Sequence, residues 1–282
     1  ASLGQALAAA KDGDSIILKP GVYDEAVAVS KSVVITGAGA KPSDVTLTFD
    51  GPRTLMVTSG RVFLKQVALA NRSTLEGSAA AEVAGGSLVL EHFEVAAAKV
   101  GIRLSDGELD ASNGSIQASR GILAQGRSKA GLLRVDVTAG LAGISIDGMG
   151  ELRVESSELK ASGSAVEAGQ FAKVRMSEVA ITQCGANAVV ARSGAEVRIA
   201  RSRLTDNKGC GVGIDGGSVT LERVRLERNR CGVGFLGAGS LESLQSEYSR
   251  LELGPLAIKP GRERDVVVKG SGNIGLEIPE KK

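Results

Sequence analysis

Apolar and polar residues alternate along most of this chain, and a second, longer period is laid over the alternation. From Gly101 onward a small residue followed by a β-branched one returns at Gly101-Ile102, Gly121-Ile122, Gly143-Ile144, Ala165-Val166, Ala188-Val189, Gly211-Val212 and Gly232-Val233, at intervals of 20 to 23 residues. Alternation at period two marks strands. A recurrence of this length marks a solenoid, in which each unit buries its apolar face only against its neighbours.

Each unit offers three short strands. The first carries Ile144 and Ile146, Val166 and Ala168, Val189 and Ala191, Val212 and Ile214, then Val233 and Phe235. A glycine turn follows, at Gly148, Gly169, Gly194 and Gly216. The second strand carries Leu152, Val174, Val197 and Val219, and the third Leu159, Ile181, Leu204 and Leu226. Stacking places equivalent strands side by side at about 4.8 Å, which gives three parallel sheets around one core. The leucine and asparagine consensus of leucine-rich repeats is absent, and helical repeats are longer. The predicted fold is all-β: a right-handed parallel β-helix of about ten coils. Ser2 and Gln5 fit a capping box ahead of Leu3, Ala6, Leu7 and Ala10 at helical spacing, so residues 1–14 are expected to form an N-terminal capping helix. Coils are expected over 15–253. Pro255 and Pro260 interrupt the repeat, so 254–282 reads as a C-terminal cap and tail, with one last strand at Asp265 to Lys269 and a frayed Glu280-Lys281-Lys282. The repeat runs without a linker, and one domain over 1–282 is expected.

Composition narrows the partners. Thirty-four Lys and Arg stand against 32 Asp and Glu, a net charge of +2, which does not suggest nucleic acid. No apolar run approaches the roughly 18 residues of a membrane span, and no signal-peptide pattern is present. Cys210 and Cys231 each precede the glycine that opens a unit, so they stack. A disulfide between them is conceivable, but the reading adopted is two free buried thiols in a column of small residues. Three unpaired thiols lean weakly toward a reducing compartment such as the cytoplasm. No metal-ligand spacing such as C-x-x-C occurs, so no metal or cofactor is expected.

The stretch Asp12-Gly13-Asp14-Ser15-Ile16-Ile17-Leu18-Lys19-Pro20-Gly21-Val22-Tyr23, followed by Ser32-Val33-Val34-Ile35-Thr36-Gly37, resembles the opening of the pectin-lyase-like superfamily. It is most similar to the pectin methylesterase and the periplasmic copper-site maturation (NosD-like) branches. The resemblance implies a helix cap and the first coils of a right-handed β-helix. The catalytic motifs of the enzymatic members do not carry over: the Gln-Asp-Thr-Leu and Asp-Phe-Ile-Phe-Gly segments, the Asn-Thr-Asp, Gly-His-Gly and Arg-Ile-Lys set and the Asp-Pro-His signature are all absent. The one histidine, His92, has no neighbouring nucleophile.

Residues one period apart stack into outward columns. Asp136 and Glu158 align, and two carboxylates at about 5 Å suit retaining glycoside hydrolysis. The column continues through Ala180, Arg203 and Arg225, so a solvated row whose arginines offset the acids is the plainer reading. A second column holds Arg153, Arg175 and Arg198, then Thr220; a third holds Glu178, Arg201 and Arg223. Over residues 188–231 nine bases face five acids, a local excess of four. Arginine forks bind carboxylate bidentately, so Arg153, Arg175, Arg198, Arg201, Arg203, Arg223 and Arg225 are the candidate binding residues. There is no Trp, and several of the scattered Phe and Tyr read as inward, so the surface is expected to lack rings for stacking sugars. Asn207 and Asn229 are expected to form an amide ladder in a turn. The expected function is a non-catalytic scaffold or interaction module for a protein or polymer partner. The alternative is an enzyme or lectin acting on an acidic polysaccharide. End-to-end self-association is a further option for a solenoid with an uncovered end.

Overall fold

The computed structural model describes residues 2–260 and 265–276. They fall into two compact units, Ala1–Gly140 and Leu141–Lys282. Each is built of short parallel strands paired one coil to the next.

The first unit opens on the expected helix, Leu3–Ala9. The capping box is closed both ways: the Gln5 N–H donates to Ser2 Oγ at 3.1 Å, and the Ser2 N–H donates to Gln5 Oε1 at 3.2 Å. Leu3 and Leu7 are buried. The helix is also tied at each end to the coils. Glu25 accepts from the Leu3 and Gly4 N–H groups at 2.6 and 3.0 Å, and Lys31 Nζ donates to the carbonyls of Leu7 and Ala10 at 3.0 and 2.7 Å. A carboxylate at the N-terminus and an ammonium at the C-terminus satisfy the end groups that a helix cannot pair itself.

Three inward columns fill this unit. Val33, Val62, Leu88 and Leu109 stack in one; Val27, Leu55, Ala81, Ile102 and Ile122 in the next; Leu47, Leu69, Val95 and Ile116 in the third. All are essentially inaccessible. The predicted short strands are fused here into runs such as Ser87–Ser105 and Glu108–Gln125. The corner between two strands is one left-handed residue, His92 or Asn113, with φ of 51° and 54°. Because the next coil repeats the same corner, the ladder of hydrogen bonds runs through it.

A partly buried charge cluster crosses this unit. Glu82 ion-pairs with Arg53, and Arg103 Nε lies 4.0 Å from Glu82; both guanidinium groups also donate to the Gly77 carbonyl at 3.0 Å. Removing the acid leaves two cations around one carbonyl. Glu82→Gln is therefore expected to destabilise the protein by about 2 kcal/mol, less than for a fully buried pair. An unchanged urea midpoint would show that the cluster contributes nothing.

The second unit repeats the pattern. Ile144, Val166, Val189, Val212, Val233 and Leu256 form one inward column; Leu152, Val174, Val197, Val219, Leu241 and Val268 the second; Leu159, Ile181, Leu204, Leu226 and Tyr248 the third. Burial pushes the Tyr248 phenol up to about 12. Strand pairing continues past Pro255, through Leu256–Ile258 and Val266–Ser271, the second of these being the expected last strand. Glu280-Lys281-Lys282 lies outside the described residues.

One expectation is overturned. Cys210 and Cys231 are joined in a disulfide, with Cα atoms 4.3 Å apart, and only Cys184 is free, buried in the core. In-register stacking brings the two α-carbons to the short end of disulfide reach, and glycine at 234 leaves the sulfurs room: a Cβ there would sit 2.8 Å from the Cys210 sulfur. The lean toward a reducing compartment rested on three unpaired thiols and loses its ground.

Candidate functional site

The second strands of the second unit, Glu151–Glu155, Lys173–Ser177, Glu196–Ala200 and Ser218–Glu222, lie in register. Alternate residues face out, so the surface is a grid. Rows advance about 6.6 Å for every two residues along a strand, and columns about 4.8 Å from coil to coil. The central column is Arg153, Arg175, Arg198 and Thr220, as the repeat predicted. Beside it stand Glu155, Ser177, Ala200 and Glu222. These eight residues, with Met176 and Ile199 beneath, line a groove of about 430 Å³.

The electrostatics of the groove are uneven. Arg153 is held by Glu155, with Nε 2.6 Å from Oε1. Arg175 and Arg198 are exposed, and among the described residues neither makes an ion pair. Two guanidinium groups stacked one coil apart, uncompensated and open to solvent, form the least satisfied stretch of charge on this face.

The other predicted arginines have different surroundings. Arg225 donates from Nε and Nη2 to one oxygen, Oε2 of Glu247, at 3.0 and 2.9 Å, Arg201 lies 3.5 Å from Glu178, and Arg223 donates to Gln245 at 2.9 Å. Arg201 and Arg223 are themselves left-handed corner residues, with φ of 48° and 55°. Arg203 is exposed and has no ion pair among the described residues, but it stacks between Ala180 and Arg225, on the third strands rather than in the groove. The structure thus gathers Arg153, Arg175 and Arg198 into one site and leaves Arg201, Arg203, Arg223 and Arg225 outside it.

Asp136, in the first unit, is exposed on the strand Lys129–Ile146, and Glu158, in the second, is exposed on Glu158–Ala161. Within the second unit the column from Glu158 runs through Ala180, Arg203, Arg225 and Glu247. His92 is exposed at its corner, with Nδ1 3.4 Å from Glu91. Another corner carries Arg228, bidentate to Asp206 at 2.6 and 2.8 Å; the guanidinium holds the Asp206 carboxyl below the usual range.

The expectation of a surface without rings is also overturned. Phe93, Phe235 and Tyr248 are buried, but Phe171 is 68% exposed, in the turn that leads into the Arg175 strand. Strand parity governs residues 173–177 and gives no guidance in the turn before them. A sequence signal did exist: Gln170-Phe171 stands where neighbouring coils carry glycine, at Gly148, Gly194 and Gly216.

Comparison with known proteins places the fold. Residues 120–252 match the family model described as a right-handed β-helix region. No curated protein matches the chain. Among solved structures it is similar to pectate lyase Pel9A, at 15% identity and a TM-score of 0.62, covering 96% of this chain and 74% of that one. It is similar to the catalytic unit of an α-1,3-glucanase from Streptomyces thermodiastaticus, at 15% identity and a TM-score of 0.63, covering 98% and 66%. It is similar to the A-module of a mannuronan C-5 epimerase from Azotobacter vinelandii, at 10% identity and a TM-score of 0.60, covering 96% and 90%. The fold is a right-handed parallel β-helix.

Proposed function

We propose that this β-helix is a binding module for an acidic polysaccharide, which it holds without cleaving. The observation that carries the reading is the groove with one arginine per coil on three successive coils, two of them without an acidic partner. A uronate polymer presents one carboxylate per sugar, at a repeat close to the coil spacing of about 4.8 Å. Laid along the solenoid axis it meets Arg153, Arg175 and Arg198 in turn, each offering a fork matched to a carboxylate. The similar structures named above are enzymes of polysaccharides, which lends the reading support by fold analogy alone.

The spacing of the acids argues for holding over hydrolysis. The carboxylates of the groove, Glu155 and Glu222, are three coils apart, about 14 Å at the strand spacing, which exceeds the separation in both retaining and inverting glycosidases. The test is a panel of polygalacturonate, alginate and neutral glucan. The two polyuronates are expected to bind and to weaken as salt rises, and neutral glucan to stay unbound. Arg175→Ala with Arg198→Ala is expected to weaken polyuronate binding about tenfold. Absence of salt-sensitive binding to either polyuronate overturns the reading. Release of new reducing ends, lost in Glu155→Gln or Glu158→Gln, overturns its non-catalytic part.

A further inference from the structure

We infer that Phe171, with Met149 one coil before it, is a platform on which a sugar ring of the bound polymer stacks, so that the site reads the apolar face of a sugar as well as its carboxylate. This rests on the reading of the arginine groove as a polyuronate site and adds to it a subsite that the charges alone do not provide.

The backbone makes the first argument. In the turns ahead of the strands that begin at Lys173, Glu196 and Ser218, the position two residues before the strand is left-handed. Two coils fill it with glycine, Gly194 and Gly216, with φ of 81° and 86°. The coil between 169 and 173 fills it with Phe171 at φ 69°, directly after Gln170 at φ 49°. Glycine takes this conformation freely, whereas a bulky side chain is strained there. The chain thus carries backbone strain at the one turn where it also leaves an aromatic ring 68% exposed. Folding alone favours neither.

Packing makes the second argument. A Cβ built at Gly194 would lie 2.7 Å from Cδ1 and Cε1 of Phe171. The ring therefore lies against the bare backbone of the next coil, and any side chain at 194 would push it away. Glycine at 194 fixes the ring as a flat, supported surface. Met149, 60% exposed, occupies the matching position one coil earlier and extends the apolar shelf.

Position makes the third. Phe171 stands exposed in the turn two residues ahead of Lys173 and four ahead of Arg175, and Met149 stands in the same relation to Glu151 and Arg153. Four residues span about 13 Å, so the sugar on the shelf belongs to the stretch of polymer beyond the arginine column, where the chain crosses the strands over Lys173. The shelf forms the border of the same grid whose central column is arginine. An exposed apolar patch on this border has one occupant that also suits the arginines: a polymer whose sugars carry carboxylates on the rim and C–H groups on the face. A ring face recognises the second of these and a guanidinium the first.

Two variants test it. Phe171→Gly removes the ring and relieves the strain, so the melting temperature is expected to hold or rise while polyuronate affinity falls about tenfold. The salt dependence of binding should keep its slope, because no charge is lost; Arg175→Ala with Arg198→Ala should flatten it. Phe171→Trp supplies a fluorophore to a chain that has no other Trp. Its emission is expected to change on titration with oligogalacturonate and to stay unchanged with a neutral glucan. Wild-type affinity in Phe171→Gly, or unchanged emission from Phe171→Trp at saturating oligogalacturonate, overturns the platform; if the arginine variant is weakened at the same time, the groove reading survives without it. A wild-type protein that binds no polyuronate overturns both.

Discussion

Replacing Cys210 and Cys231 together by alanine is expected to lower stability by about 3 kcal/mol, the loop-closure entropy of a cross-link at a separation of 21 residues. The cross-link joins equivalent positions on adjacent coils, two residues before the paired Val212 and Val233. In a solenoid each coil is stabilised mainly by its neighbours, so the loss should concentrate in the two joined coils, the one that carries Ile214 and Leu226 and the one that carries Phe235 and Tyr248. Alanine is the right replacement because Cys231 is fully buried and a serine hydroxyl there would lack a partner. Urea denaturation with and without reductant checks it: reductant should shift the wild-type midpoint and leave the double variant where it is. Thiol counting gives an independent reading. Unfolded, non-reduced protein should show one reactive thiol, Cys184, and native protein none, since Cys184 is buried and burial pushes its thiol up. Three reactive thiols, or a wild-type midpoint indifferent to reductant, would remove the cross-link from the account.

The second large effect is expected at Asn229. Its Oδ1 accepts from the Asn207 N–H at 3.0 Å and from Asn207 Nδ2 at 2.9 Å, while its own Nδ2 donates to the Leu204 carbonyl at 2.7 Å. Asn207 passes the same contact on, its Oδ1 accepting from the Cys184 N–H at 2.9 Å. Both amides are buried, with exposures of 3% for Asn229 and 2% for Asn207. Asn229→Ala strands the Asn207 N–H in the core and leaves Asn207 Nδ2 only its 3.5 Å contact with the Ile181 carbonyl, at about 1–3 kcal/mol for an unsatisfied group, and opens a small cavity as well. A total loss of about 3 kcal/mol is expected. Asn207→Ala should cost a similar amount, and the double variant less than the sum of the two, because the residues form one network. Strict additivity in the urea midpoints would mean that the ladder is two independent contacts.

Much of this was legible in the chain. The pairs from Gly101-Ile102 to Gly232-Val233 are register partners wherever both lie in one unit, because a solenoid turns sequence period into spatial stacking. The Ser2 and Gln5 capping box was readable because it is local. The coils before Gly101 were harder to see. From Val27 to Leu55, Ala81, Ile102 and Ile122 the steps are 28, 26, 21 and 20 residues. The turn at Pro42–Asp44 and the loop near Gly77 lengthen the early coils and hide the beat. The arginine columns were visible as a pattern, but not which arginines would be neutralised: Glu155, Glu178 and Glu247 reach Arg153, Arg201 and Arg225 by side-chain geometry that the repeat does not encode.

The sequence by itself determined the solenoid, its three strands per coil, its helical cap and the stacking of Arg153, Arg175 and Arg198, because these follow from period and parity. Only the tertiary structure decided which arginines stay unpaired, that Cys210 and Cys231 are joined, and that Phe171 faces water over Gly194. Those outcomes depend on distances between side chains on adjacent coils and on left-handed turns. In such turns the alternation that governs strands no longer says which way a residue points.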